Sequence, residues 1–347
     1  MNLAPQVQAF LDAAPSEPLD FLTVAEQRQL MRHLSDLNYL RFGRRAEPVA
    51  AVTDYTVPGA GVIVRAYRPP AYWPPACWPP AYQPSAPVPL PAHVVLHGGG
   101  WWLGSISERV NEAICRYRCL HANCVVFAVE YRLAPEHPFP AAIGDIHAAL
   151  CWISASAAEL GIDARNISLG GTSAGANLAA AVTLMARDGS GPPLAFQLLE
   201  VPSLDLTGEI VREALATEEL RPMASFVAER DTAVSRYLRD PGDAGAPLAS
   251  PILADDLSGL PPAHIMTAEF DPLREEGERY ARRLRESGVA ATATRHAGAI
   301  HGTSFLTRVW EPARRWQHEA ATVLARAQWR TAASPVSPAK DDVRSHG

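Results

Sequence analysis

The 347-residue chain is 48% hydrophobic and 20% charged, a balance that builds a globular core and leaves disorder local. Its net charge of −6, with no basic patch, excludes a nucleic-acid-binding protein. Five cysteines without metal-ligand spacing exclude a zinc module and read as reduced thiols of a cytoplasmic protein.

Residues 1–45 carry Val7, Phe10 and Leu11 near a helical period and are expected to form helices. The N-terminus has no basic start followed by an apolar stretch, so it does not read as a secretory signal. Strands are expected at Val62–Tyr67 and His93–Leu96. Between them PPAYW, PPACW and PPAYQ repeat in tandem within residues 69–90, and such proline density favours an extended loop insertion over a sheet strand. The chain then alternates: a helix over Ser107–His121, a strand over Cys124–Val129, a helix over Ala141–Ala158 and a strand over Asn166–Leu169. A helix over Ala174–Arg187 and a strand over Leu194–Leu199 follow. After a helical, polar block come a strand at Ala263–Ala268, a helix at Glu275–Ser287 and a strand at Ala290–Arg295. This alternation predicts an α/β domain whose mostly parallel central sheet is flanked by helices. Residues 46–204 and 248–331 are assigned to that core. Residues 1–45 and 205–247 are assigned to a helical cap, and 332–347 to a disordered tail. The uncharged run Asn166–Ala186 has the length of a membrane span, but its glycines and polar residues divide it into strand, turn and helix, so no stable membrane insertion is expected.

Three motifs carry chemistry. Gly171-Thr172-Ser173-Ala174-Gly175 is a G-x-S-x-G sequence between a predicted strand and a predicted helix, the context in which a serine becomes an exposed nucleophile. The helix start adds backbone N–H groups and the positive end of a dipole. His97-Gly98-Gly99-Gly100-Trp101 follows a strand and offers bare amides to an oxyanion. Gly98, Gly99 and Ala174 are therefore the candidate donors, and His97 is expected to hold the loop. Asp271 and His301 follow the last two strands and supply the acid and base in the order Ser, Asp, His. Glu269 competes for the acid role and His296 for the base.

Together HGGGW, YRLAPEHPFPAA (Tyr131–Ala142), GTSAG and DPLREEG (Asp271–Gly277) resemble the hormone-sensitive-lipase-like family of bacterial esterases, in its GTSAG subgroup, over about residues 60–310. The resemblance implies an α/β-hydrolase fold with a helical cap and a serine carboxylesterase that needs no metal or cofactor. Its expected substrates are short- to medium-chain esters, with Ser173, Asp271 and His301 as catalytic residues. Ala176 after GTSAG and Thr303 after His301-Gly302 depart from the family pattern, the second at the expense of acyl-pocket shape. Arg132 and Glu136 are read as a structural ion pair or loop tie, and Trp101, Trp102 and Phe226 as candidate pocket lining. A related amidase, lactonase or formamidase would use the same triad, and a non-catalytic ligand receptor is the alternative outside enzymes. The expected partner is a small ester; a homodimer is compatible with the sequence but not required by it.

Overall fold

The computed structural model describes residues 3–13, 21–70 and 89–333, with side chains described through residue 328. Residues 71–88, with Cys77 and most of the PPAYW-type repeat, and residues 334–347 lie outside the described residues. The expected tail over 332–347 begins two residues too early, because residues 332 and 333 continue the last helix, and Leu90, expected in the loop insertion, opens a strand.

Eight strands form one sheet: β1 (Ala51–Thr56), β2 (Ile63–Arg68), β3 (Leu90–Leu96), β4 (Val125–Glu130), β5 (Ile162–Thr172), β6 (Phe196–Glu200), β7 (Ala263–Ala268) and β8 (Ala291–His296). Their spatial order is β1-β2-β4-β3-β5-β6-β7-β8. β2 runs antiparallel to both β1 and β4, and every other neighbouring pair is parallel. The helices are α1 (Pro5–Leu11), α2 (Val24–Phe42), α3 (Arg109–Ala122), α4 (Ala141–Ala155), α5 (Ala174–Met185), α6 (Glu209–Leu215), α7 (Ala224–Tyr237), α8 (Arg274–Glu286) and α9 (Glu311–Ala333).

Strand alternation sorts the core into two layers. Val94 and Leu96 of β3, Val125, Phe127 and Val129 of β4, Leu199 of β6 and Ile265 of β7 face one side. There they meet Ile146 and Leu150 of α4, Leu178 and Val182 of α5 and Leu284 of α8. The intervening residues, Val95, Val126, Leu198 and Met266, face Cys115 and Cys119 of α3 and Trp316 and Leu324 of α9. Helices therefore cover both faces, as the continuous apolar runs of a parallel sheet require. Cys115 and Cys119, four residues apart on α3, lie together inside this second layer. Burial pushes the thiols of Cys115 and Cys124 up to about 12, so they are inert at neutral pH.

β3 and β5 are neighbours, whereas the chain passes from β3 to β4 on one side and then crosses back to β5 on the other. The loops leaving the C-terminal ends of β3 and β5 thus open onto a crevice at the point where the strand order reverses, the usual ligand position in such sheets.

Two elements were absent from the sequence-based expectation. β1 is an edge strand with five of its six residues exposed, so it carries no apolar alternation. α9 does carry a pattern, because Trp316, Ala320 and Leu324 are buried at four-residue spacing, but charged and polar residues interrupt it throughout. The predicted strand at Asn166–Leu169 lies within the buried stretch, residues 166–171, of the longer β5.

α2 begins with a capping box: Thr23 Oγ1 accepts from the Glu26 amide at 3.3 Å, and the Glu26 carboxylate accepts from the Thr23 amide at 2.8 Å. Farther along, Ser35 Oγ of α2 donates to the Glu108 carboxylate at 3.0 Å, just before α3. Burial pushes the Glu108 carboxyl from 4.5 up to about 7. The folded state therefore holds this proton longer than the unfolded chain. The stabilisation linked to it is complete below about pH 4.5 and is lost as pH rises through about 7. Glu108→Gln, which mimics the protonated form, is expected to flatten the fall in stability between pH 5 and 8; urea titrations at several pH values check this.

Candidate active site

β5 ends at Thr172, and the chain turns directly into α5 at Ala174. Ser173 sits in between at φ 57° and ψ −119°, a conformation that costs a non-glycine residue about 1–3 kcal/mol. Its amide donates to the Glu200 carbonyl of β6 at 2.8 Å, which pins the turn. The flanking glycines leave no room for a side chain: a Cβ on Gly171 would lie 2.5 Å from the carbonyl carbon of Gly175, and one on Gly175 would lie 2.3 Å from the Leu96 oxygen. The elbow is pressed against the end of β3, and strain there is the cost of exposing the hydroxyl above the sheet.

His301, in the loop after β8, bridges the other two residues. Its Nδ1 lies 2.7 Å from Asp271 Oδ2 and its Nε2 lies 3.0 Å from Ser173 Oγ. A carboxylate can only accept, so Nδ1 carries the proton and Nε2 is free to accept from the serine hydroxyl. Asp271 is fully buried, and its second oxygen accepts from the Leu273 amide at 2.9 Å. The Phe226 ring of α7 covers the imidazole with centroids 4.8 Å apart.

The loop after β3 faces the elbow. Gly98 lies so close that a Cβ would stand 3.0 Å from the Thr172 oxygen and 3.5 Å from Ser173 Cβ. Among the described residues the amides of Gly98, Gly99 and Ala174 donate no hydrogen bond, which leaves three donors beside the serine. His97 is buried; its Nδ1 donates to its neighbour's carbonyl, Gly98 O, at 2.8 Å, and its ring stacks on Tyr131 at 4.3 Å. Burial lowers its pKa, so it stays neutral and holds the loop.

A family profile describing the α/β-hydrolase fold matches residues 93–305, which contain all of these groups. The chain belongs to the α/β-hydrolase fold family. An arylesterase of Saccharolobus solfataricus is 42% identical over 205 residues, 59% of this chain and 65% of that protein. The carboxylic ester hydrolase LipN of Mycobacterium tuberculosis is 39% identical over 266 residues, 72% of this chain and 64% of its own length. This α/β-hydrolase-fold chain thus spans slightly under two thirds of those relatives. Among solved structures, a hyperthermophilic esterase from the archaeon Pyrobaculum calidifontis superposes with a TM-score of 0.80 at 36% identity, covering 94% of this chain and 99% of that one.

In this α/β-hydrolase-fold chain the competing residues are engaged elsewhere. The Glu269 carboxylate accepts from the Gly298 amide at 2.6 Å, tying the loop that leads to His301. His296 packs on Trp316 at 4.1 Å with its Nε2 3.3 Å from Glu319. Arg132 and Glu136 tie loops, but not as a pair with each other: Arg132 grips Asp145 at 2.7 Å, whereas Glu136 binds Arg28 of α2 at 2.6 Å, a partner 108 residues distant and invisible in local spacing. One expectation needs fuller correction. Trp101 does not line a pocket. It is buried, stacked on Tyr237 at 4.9 Å, and donates from Nε1 to Asn177 at 3.2 Å. Trp102 is half-buried beneath Arg236, whose guanidinium carbon lies 3.8 Å from the ring centroid. Among the described residues no helix is long and apolar enough to cross a membrane, and the uncharged run Asn166–Ala186 divides between β5, the elbow and α5.

Proposed function

We propose that the protein is a serine carboxylesterase that hydrolyses short- to medium-chain carboxylic esters through an acyl-enzyme. The observation that carries this reading is the relay from Asp271 through His301 to Ser173, with bonds of 2.7 and 3.0 Å, beside three amides without acceptors among the described residues. Ser173 Oγ attacks the ester carbonyl as His301 Nε2 takes its proton. Asp271 keeps Nδ1 protonated and stabilises the imidazolium. The tetrahedral oxyanion rests on the Gly98, Gly99 and Ala174 amides, each contributing about 2.7–4 kcal/mol to lowering the barrier. His301 then protonates the leaving alcohol, and water attacks the acyl-enzyme in the reverse sense. None of these steps calls for a metal or an organic cofactor. The esterase names of the relatives support the same chemistry.

The division into core and cap belongs to this reading. α1 and α2, with residues 205–247, form the cap, and Phe226 brings it against the imidazole. A cytoplasmic location agrees with the four free cysteines among the described residues. A fluorophosphonate probe is expected to label the wild type and not Ser173→Ala, with p-nitrophenyl ester hydrolysis falling by about 10⁶ in the variant. An unlabelled, inert wild type would make the protein a receptor, and cleavage of p-nitroanilides without esters would make it an amidase.

A further inference from the structure

The loop that carries the candidate oxyanion donors is anchored by the His97 bond to the Gly98 carbonyl and by the buried Trp101 ring, but its backbone is rich in glycine. Gly99, Gly100 and Gly104 have φ of 119°, 58° and 94°, conformations that glycine adopts freely, so the torsions of the loop alone do not keep it in one shape. Internal bonds from the Trp102 and Leu103 amides both run to the Gly99 carbonyl, at 3.2 and 2.8 Å. The carbonyls of Trp101 and Trp102 are held by other segments. Arg28 of α2 donates from Nε to the Trp102 oxygen at 2.7 Å. Its Nη2 donates to the Ala134 oxygen at 2.5 Å, and the Ala134 amide in turn donates to the Trp101 oxygen at 3.0 Å. The remaining side of the guanidinium forms a fork on Glu136, at 2.7 and 2.6 Å. One side chain, 22% exposed, therefore fixes two successive carbonyls of the oxyanion loop, one directly and one through the next loop. The Glu136 carboxylate holds that side chain in orientation, because a planar fork can satisfy a carboxylate in only one plane.

We infer that Arg28 is a positioning residue for ester hydrolysis: it orients the oxyanion loop through the Trp102 and Ala134 carbonyls, so that α2 must be docked for the Gly98 and Gly99 amides to be aimed at the oxyanion. The inference rests on the esterase reading. Arg28 touches no reacting atom, and its action is confined to geometry. Arg236 of α7 reinforces the clamp from the other side, lying over Trp102 and donating to Gln27 of α2 at 3.1 Å. Because the loop stabilises charge only in the transition state, loss of the clamp appears in kcat and leaves ground-state binding untouched.

Arg28→Ala and Arg28→Lys are compared with the wild type in p-nitrophenyl butyrate hydrolysis and in affinity for a trifluoromethyl ketone, whose serine adduct carries an oxyanion. Lysine keeps the charge and removes the fork. Both variants are expected to lose about 10-fold or more in kcat, approaching the roughly 10²-fold cost of a 1 Å misplacement, with KM within about twofold. Ketone affinity should fall in parallel with kcat/KM, and guanidinium at tens of millimolar, but not sodium chloride, should restore part of the Arg28→Ala rate. A folded variant with unchanged kcat, or with KM alone raised, overturns the inference. If Arg28→Ala does not fold, the surface-compatible Arg28→Lys decides the matter by the same criteria. A wild type inert toward esters would defeat the esterase reading instead, before any variant is compared.

Discussion

Asp271→Asn is expected to lower kcat by about 10⁴ while leaving the fold intact. The reason lies in the two oxygens of this buried carboxylate. Oδ1 accepts from the Leu273 amide at 2.9 Å and Oδ2 from His301 Nδ1 at 2.7 Å. An asparagine has one oxygen and one amino group to meet the same two neighbours. The Leu273 N–H can only donate, so it claims the oxygen, and the amino group is turned toward Nδ1. Nδ1 must then accept, the proton moves to Nε2, and Nε2 can no longer take the proton of Ser173. The imidazolium also loses its counter-charge. Glu269 cannot step in, because its carboxylate is committed to the Gly298 amide at 2.6 Å. Turnover of p-nitrophenyl butyrate and a thermal melt are measured on the same sample. A folded variant that keeps a tenth of the wild-type kcat would remove Asp271 from the relay.

The candidate site was legible because its parts are local words in the chain. The nucleophile elbow needs small residues within two positions of the serine, so close packing against Leu96 is written into Gly171 and Gly175. Asp271 and His301 were legible by position, each following a predicted strand of a parallel sheet. What the sequence could not display are contacts between distant segments. Arg28 has no neighbour in sequence that hints at Glu136, and the two meet only because α2 lies across the loops after β3 and β4. Arg132 likewise turns away from Glu136 to Asp145 on α4, thirteen residues on. Trp101 fails for the opposite reason. An indole beside the glycines suggests a pocket wall, yet φ of 63° turns it inward, where Asn177 accepts its N–H. β1 escaped notice because an edge strand with an exposed surface has no reason to alternate.

Glu200→Ala is expected to destabilise the protein by about 3–5 kcal/mol, the usual penalty for leaving one member of a buried ion pair alone. Glu200 at the end of β6 is 1% exposed and its partner Arg118 of α3 is 0% exposed. The second carboxylate oxygen accepts from Trp316 Nε1 of α9 at 2.6 Å, so one side chain joins β6 to both helices on that face of the sheet. Sequence alone makes Glu200 a polar interruption after an apolar strand. In the fold it is the counter-charge for a guanidinium that water cannot reach, with Arg118 Nε and Nη1 already lacking acceptors among the described residues. Removing the carboxylate strands that charge and the Trp316 N–H together. The backbone carbonyl of Glu200 that holds the Ser173 amide is unaffected by the substitution, so the loss should fall on stability and much less on kcat per folded molecule. Arg118→Met combined with Glu200→Gln removes both charges and keeps an acceptor for Trp316, and it should recover most of the loss, because the attraction within a buried pair scarcely exceeds its desolvation cost. Urea unfolding of the single and double variants separates the two contributions. A double variant no more stable than Glu200→Ala would mean that the ion pair itself, and not the isolated charge, is what the fold depends on.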